Sequence, residues 1–364
     1  MRYRPTHIYI LVQRAVFVIL WTAALNLFVS MRATAREFCF EGLDDSLSVS
    51  KRERRRERME QVRAKIDSAV AAKYYKINYD TLYIMRPEET WLVKARVNVS
   101  GSFVIVKQHS DSNEGRGRLR SNYKTTLSVG VSYRGLTAGL AFNPDMLRGR
   151  KRDFEFNLNS YSNRYGLDLM FLASKTMSGN TYFGNEKVFV GEGDMQMNLL
   201  NVNGYYAFNS KRFSYPAAFS QSYVQKRSAG SWLAGFSYMG GSVKTTDSKP
   251  DGMPDTRIYL GHFALGGGYG YNWIINKRML VHASALPTLV VLNRNNIKLN
   301  GEKEDMATEF PDVILTERVA VVYALNKKSF VGGTFVMTNS LLGGGHLDID
   351  YSKWRTRVFW GMRF

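Results

Sequence analysis

From Trp91 to Phe364 the chain alternates apolar and polar side chains with a period of two, in segment after segment. That period puts neighbouring side chains on opposite faces of an extended strand. In the first segment Trp91, Val93, Ala95, Val97 and Val99 face one way, and Leu92, Lys94, Arg96, Asn98 and Ser100 the other. Twelve such strands are expected, near 91–106, 121–133, 135–143, 152–161, 163–174, 195–208, 229–243, 257–273, 279–292, 313–325, 328–340 and 354–364. Strands with one apolar face form either a two-sheet sandwich, as in a soluble periplasmic β-protein, or a single closed sheet.

Three features favour an up-and-down antiparallel transmembrane β-barrel. Connections alternate in length. Arg134-Gly135, Ser162-Asn163, 275–278 and 326–328 are short, whereas 107–120, 144–151, 175–194, 244–256, 293–312 and 341–353 are long and polar. Outer-membrane barrels have short periplasmic turns and long outer loops. An even strand number brings both ends of the barrel to one side. The last strand places Trp354, Val358, Trp360, Met362 and Phe364 on one face, and a strand closing on a terminal Phe resembles the signal read by bacterial barrel-insertion machinery. Trp360, Met362 and Phe364 are the residues expected to carry it.

Composition agrees. With 45% hydrophobic and 13% aromatic residues the chain is not disordered. A mean hydropathy of −0.27 excludes a polytopic helical membrane protein but not a barrel, whose strands average out. A single cysteine excludes a disulfide framework and cysteine-rich metal sites.

Ahead of the strands, Arg2, Arg4 and Arg14 precede an uncharged run from Ala15 to Val29, then Ala33-Thr34-Ala35. That order reads as a signal peptide over 1–35, with an uncleaved anchor as the alternative. Export would place the protein in the outer membrane of a Gram-negative bacterium. Residues 36–75 form a periplasmic basic segment, and the sequence predicts a helix over Lys51–Ala72 with Ser50 as a cap. Met59, Val62, Ile66 and Val70 share one face of it. Its basic first half could be a solvated helix end, or an arm for anionic lipid or an acidic periplasmic partner. No motif points to nucleic acid. The barrel domain is expected over 76–364.

One connection breaks the pattern, since the turn over Asn209–Ala229 runs to about twenty residues. It reads either as an extra hairpin, raising the count to fourteen, or as a plug folded into the lumen. Its stretches Phe213-Ser214-Tyr215-Pro216 to Gln221, and Gln225-Lys226-Arg227-Ser228-Ala229-Gly230-Ser231, resemble a signature of DUF4421, a Bacteroidota family of unknown function. Asp80-Thr81-Leu82-Tyr83-Ile84 with Pro87 and Trp91 is similar to that family's opening motif, and Gly268–Trp273 to its later hairpin. The resemblance covers about 75–364. It implies an outer-membrane-type barrel and carries over no activity or catalytic residue.

Candidate sites follow from the faces. Arg355, Arg357 and Arg363 on the last strand and Lys94 and Arg96 on the first would line the lumen at the closure seam, a basic strip suited to anions or lipid headgroups. The competing reading is that Asp153, Glu155 and Asp168 neutralise it. His282 and Ser284 share a face, which resembles the serine–histidine pair of outer-membrane phospholipases. Those pairs face lipid, and here the pair faces the lumen. His346, Asp348 and Asp350 alternate on one face, as solvated residues at a strand tip do. Neither metal nor cofactor is expected, and enzymatic activity is not. The function expected is a narrow channel, a lipid- or solute-handling pore or an envelope scaffold. The alternatives are a plugged barrel acting as a binding module and a phospholipase-like lipid hydrolase using Ser284 and His282. Outer-membrane lipids and the insertion machinery are the expected partners.

Overall fold

The computed structural model describes residues 46–108, 115–134, 136–142, 154–183, 186–250, 253–305, 312–343 and 347–364. The expected signal segment and Asp153 lie outside them. The chain divides into two compact units, Met1–Ala69 and Val70–Phe364. The first is described through helix α1, Ser46–Tyr75, whose last turn belongs to the second unit. The Arg, Glu, Lys and Ala residues here are strong helix formers, and the helix runs several residues beyond the predicted 51–72 at each end. Met59 and Val62 remain exposed, so the first unit leaves this part of the apolar face uncovered. Among the described residues no helix is long and apolar enough to cross a membrane.

The second unit is built of strands. In chain order they are β1 Ile84–Met85, β2 Trp91–Gln108, β3 Gly115–Arg120, β4 Lys124–Tyr133, β5 Leu136–Phe142, β6 Phe154–Tyr161 and β7 Tyr165–Ser174. Then follow β8 Ser178–Phe183, β9 Glu186–Val190, β10 Met195–Ala207, the short helix α2 Tyr215–Phe219, β11 Val224–Gln225, β12 Ala229–Thr245 and β13 Thr256–Asn276. The chain ends with β14 Met279–Asn293, β15 Asn296–Leu299, β16 Glu302–Asp305, β17 Val313–Ala324, β18 Ser329–Leu342 and β19 Leu347–Arg363.

Twelve of these strands make the wall, in the order β6-β7-β10-β12-β13-β14-β17-β18-β19-β2-β4-β5, every pair antiparallel. They are the twelve expected from the alternation. The first and last wall strands in the chain, β2 and β19, pair from Leu92 opposite Arg363 to Gln108 opposite Leu347. The two ends of the run, β5 and β6, are consecutive in sequence. The sheet curls back on itself, because β6 meets β19 and β2 across the interior. Arg355 Nη1 donates to Asn157 Oδ1 at 2.7 Å, and Ser100 Oγ to Glu155 Oε2 at 3.2 Å.

Two expectations change. The last strand begins at Leu347 and not at 354, so most of the predicted loop 341–353 is strand; Ile349 and Tyr351 point to the buried side. The stretches 107–120, 175–194 and 293–312, read as polar loops, contain β3, β8, β9, β15 and β16. These pair onto the long ends of β2 and β13 (β3 with β2, β8 with β3, β15 with β13). The 18 residues of β2 outrun β4 and the 21 of β13 outrun β14, and the backbone groups on those edges need partners there.

The two faces are partitioned inside out. Val97, Leu127, Val129, Leu158, Leu265, Leu289, Val319, Val321 and Val358 are exposed on the outer face. Aromatic pairs flank this belt near the turns, with Trp91 and Tyr133 rings 4.6 Å apart and Trp232 and Tyr269 5.2 Å apart. Toward the loops Tyr123 and Trp354 pair at 5.6 Å. A continuous exposed apolar belt between aromatic girdles is the surface of a membrane-spanning barrel, because in water it would be a large unfavourable patch. The interior holds an apolar cluster toward the loops, including Leu172, Met197, Leu199, Met239 and Ile314, and a second one toward the turns.

Candidate functional site in the barrel interior

The second cluster is built around residues 209–228. After β10 the chain turns tightly, with Phe213 N donating to Asn209 O at 2.9 Å. Ser214 caps α2, its Oγ accepting from Ala217 N at 3.3 Å, and Pro216 occupies the first turn, where a missing N–H costs nothing. Gln221 ends the helix in the left-handed region at φ 56°. Phe213, Ser214, Tyr215 and Ala218 have no solvent exposure, and they pack against Tyr205, Leu233, Leu280, Leu286 and Ala320 of the inner wall. Residues 213–219 are therefore inside the barrel. The segment is not a hairpin in the wall, and the fourteen-strand alternative does not hold. Gly270 allows the approach of Phe213, since a Cβ there would lie 3.2 Å from Phe213 Cζ and 3.1 Å from Ser284 Cβ.

Hydrogen bonds tie this segment to strands around the barrel. Asn272 Nδ2 donates to Ser214 O at 2.9 Å and to Gln225 Oε1 at 3.1 Å. Its Oδ1 is then the acceptor for His282 Nδ1 at 2.7 Å, which makes Nδ1 the protonated nitrogen. His282 Nε2, 3.0 Å from Ser284 Oγ, accepts that hydroxyl, and Ser284 in turn accepts the Tyr215 hydroxyl at 2.8 Å. The chain of donors runs Tyr215, Ser284, His282, Asn272, Ser214, with each step satisfied. Ser214 Oγ also donates to Asn163 Oδ1 at 2.6 Å. Gln225 Nε2 donates to Arg212 O at 2.6 Å and Arg227 O at 2.9 Å, closing the loop around itself.

The other motif residues have local work. Lys226 is exposed and its Nζ donates to Thr81 O at 3.0 Å, beside the β1–β11 pair. Ser228 Oγ accepts from Ile274 N at 2.8 Å, and Ser231 Oγ from Asn209 N at 2.9 Å. A Cβ on Gly230 would lie 2.1 Å from the Tyr269 hydroxyl, so the girdle tyrosine requires a glycine there. Below the barrel, the Arg86 guanidinium is sandwiched 4.4 Å from each of the Tyr74 and Tyr223 rings. Burial lowers its pKa from the usual arginine value.

The structure divides the basic strip in two. Lys94 Nζ donates to Ser220 O at 2.6 Å, and Arg363 Nη2 to Gln221 O at 3.1 Å, so these two hold the end of α2. Arg96, Arg355 and Arg357 lie farther along the same inward faces of β2 and β19, and Arg355 lines a polar chamber. That chamber is lined by Asn157, Asp168, Asn201, Asn203, Arg318 and Arg355 among others. Glu155 pairs with Lys353 at 2.8 Å and Lys124 at 4.0 Å, and Asp168 with Arg318 at 2.8 Å. The interior acids thus neutralise other cations than the five expected. Arg355 and Arg357 donate instead to the neutral oxygens of Asn157 and Asn98, each at 2.7 Å.

Sequence reasoning did not single out Arg318, Lys353 or the amide row Asn157, Asn159, Asn201 and Asn203. The amides carry a faint signal, two pairs spaced by two on polar faces. Arg318 carries none, because its partner is 150 residues away. On the outer face of β19, Trp360 and Phe364 are exposed, and Phe364 exchanges backbone hydrogen bonds with Trp91. His346 lies outside the described residues, and among those described no group of three His, Cys, Asp or Glu converges as a metal site.

Ser284, His282 and Asn272 have the spacing of a nucleophile, a base and an orienting group. The Ser284 oxygen, however, already accepts from Tyr215 beneath a layer of buried aromatics. A substrate carbonyl would have to displace that layer to reach it.

A family model described as a domain of unknown function (DUF4421) matches residues 78–364. No curated protein matches the chain. Solved structures of similar shape include the outer membrane protease OmpT from Escherichia coli, at 8% identity and TM-score 0.40, covering 77% of this chain and 98% of that one. The translocator domain of the autotransporter NalP from Neisseria meningitidis is 10% identical with TM-score 0.32, covering 84% and 96%. The attachment invasion locus protein Ail of Yersinia pestis is 7% identical with TM-score 0.23, covering 74% and 98%. At such values the fold rests on the pairing registers above and not on these likenesses.

Proposed function

We propose that this chain, which belongs to the family described as a domain of unknown function (DUF4421), is an outer-membrane barrel of a Gram-negative bacterium that rests closed, stoppered by its own residues 209–228. One observation carries the reading: α2 and the Phe213-Ser214 pair ahead of it are buried inside the barrel, and the segment is hydrogen-bonded to β13 on one side and to β2 and β19 on the other. The apolar belt and its aromatic girdles support the membrane location.

A barrel of twelve strands has little lumen to spare once side chains fill it, and here a folded segment occupies the turn-side end. The resting protein therefore passes no ions, and solute movement requires the plug to leave. Such a barrel acts as a gated pore for anionic solutes, with Arg96, Arg355 and Arg357 lining the path. It is not an enzyme on this reading, because Ser284 serves to anchor the plug. Its surroundings are outer-membrane lipids, the insertion machinery reads Trp360, Met362 and Phe364, and α1 offers its basic half to a periplasmic partner.

Conductance across a planar bilayer tests this. The intact, detergent-purified barrel should be silent. A variant lacking residues 213–222 should show discrete openings whose reversal potential in a salt gradient marks anion preference. Spontaneous large openings of the intact protein, or silence of a well-folded deletion variant, would sink the proposal.

A further inference from the structure

The plug explains Lys94 and Arg363 but leaves three guanidiniums on the inward faces of β2 and β19 unaccounted for. Arg355 and Arg357 are two apart on the inward face of β19. Arg357 stands opposite Asn98 of β2, and Arg96 is the next inward residue on β2. Same-face neighbours on paired strands lie within about 5–8 Å, so Arg357 stands beside both Arg355 and Arg96 and the three form a row with Arg357 at its centre. Both acids that reach the chamber are taken, Glu155 by Lys353 and Asp168 by Arg318. Arg355 and Arg357 each donate one hydrogen bond to a neutral amide oxygen, out of the five donors a guanidinium carries. Among the described residues the Arg96 side chain has no hydrogen-bond or ion-pair partner in the protein.

Like charges gathered in a part-buried space repel and lose hydration together, and a counter-charge lessens both penalties. The surroundings favour a compact, multiply charged oxyanion. Guanidinium forks match tetrahedral oxygens bidentately, and three forks supply enough donors for one phosphate. Thr126 and Ser128 add hydroxyls on the adjoining strand, within reach of Asn98 Nδ2 at 3.1 and 3.5 Å.

We propose that Arg96, Arg355 and Arg357 form a binding site for a phosphate-type oxyanion inside the barrel. The site rests on the closed-lumen reading, which places it above the stopper. The anion comes either from solution or as the headgroup of a lipid whose tails lie outside the lumen, and the two sources are separable.

The full-length barrel, delipidated in nonionic detergent and refolded with inorganic phosphate, should melt several degrees higher than in sodium chloride of equal ionic strength. Arg96→Gln removes a charge without breaking any bond within the protein. It should fold, melt above the wild type when phosphate is absent, and lose the phosphate-specific shift. Native mass spectrometry of the undelipidated protein distinguishes the sources: a retained phospholipid lost in Arg96→Gln identifies the headgroup, and its absence beside a phosphate shift identifies the free anion. No phosphate-specific shift and no retained phospholipid in the wild type would overturn the site. So would an Arg96→Gln variant that responds to phosphate as the wild type does. Either failure leaves the plug reading standing, since silence of the intact barrel and its opening on loss of 213–222 need no phosphate.

Discussion

Asn272 is the point where the wall holds the plug, so Asn272→Leu tests the closure most directly. The side chain is fully buried and makes three hydrogen bonds, accepting from His282 and donating to Ser214 O and Gln225 Oε1. Leucine preserves the volume and removes all three. Gln225 Oε1 keeps a second donor, Ser214 N at 3.1 Å, and is not orphaned. The Ser214 carbonyl and His282 Nδ1–H lose the partner described here. A change of His282 tautomer does not help, because Nε2–H would then donate to Ser284 Oγ and leave the Ser284 hydroxyl proton without its acceptor. Two buried groups left unsatisfied at about 1–3 kcal/mol each give about 2–6 kcal/mol against the closed state. At tenfold per 1.4 kcal/mol, the closed-to-open ratio falls by roughly 30-fold to above 10,000-fold. The assay is paired: thermal unfolding in detergent and single-channel recording. The expected outcome is a folded, heat-modifiable barrel with a lowered midpoint and frequent openings. Asn272→Asp, which keeps the acceptor for His282 but loses the donors, should fall between. An Asn272→Leu protein with wild-type midpoint and no openings would refute the claim that this hydrogen-bond chain holds the plug.

Four further outcomes are expected. Gly270→Val should push Phe213 off the wall, lowering stability by about 1–3 kcal/mol as overpacking does, and raise the opening frequency in the same recordings. Asp168→Asn strips the partner from Arg318, which is 1% exposed, so thermal unfolding should show a loss of about 3–5 kcal/mol; adding Arg318→Met should recover much of it. Val129→Arg on the exposed belt should cost about 2–4 kcal/mol in a bilayer, seen as reduced folding into lipid vesicles, with a smaller loss in detergent. Removing Phe364 should slow assembly in cells while the purified variant still refolds in detergent, because its side chain faces outward and packs no core.

The wall was legible because it obeys a local rule. Alternation assigns each residue to a face without knowledge of the partner strand, and the faces of β2 and β19 follow from their own sequences. Strand ends were not. The start of β19 sits in Asp348-Ile349-Asp350-Tyr351, where two acids look like loop, and only pairing with the end of β2 extends the strand that far. β3 and β8 were missed for the same reason: short stretches with glycines such as Gly117 and Gly179 have no apolar face of their own, and they are strands because β3 pairs with the projecting end of β2 and β8 pairs in turn with β3.

The interior shows where local rules stop. His282 and Ser284 stand out by their spacing, yet the residue that gives His282 its role cannot be found by counting along the hairpin. From Asn276 opposite Met279, simple antiparallel register would set Trp273 opposite His282, and an outward indole could not orient an inward imidazole. The irregularity between Ile274 and Asn276 shifts the register by one and brings Asn272 there instead. One displaced residue therefore turns an uninterpretable pair into the hub that fixes the plug. The strip at the seam was legible for the converse reason, since β2 and β19 pair without a shift and the polar faces of their sequences coincide. What that register could not reveal is which cations find acids. Glu155 and Asp168 form their ion pairs with Lys353 and Arg318, side chains 198 and 150 residues away, and this distant pairing leaves Arg96, Arg355 and Arg357 without an ion pair of their own.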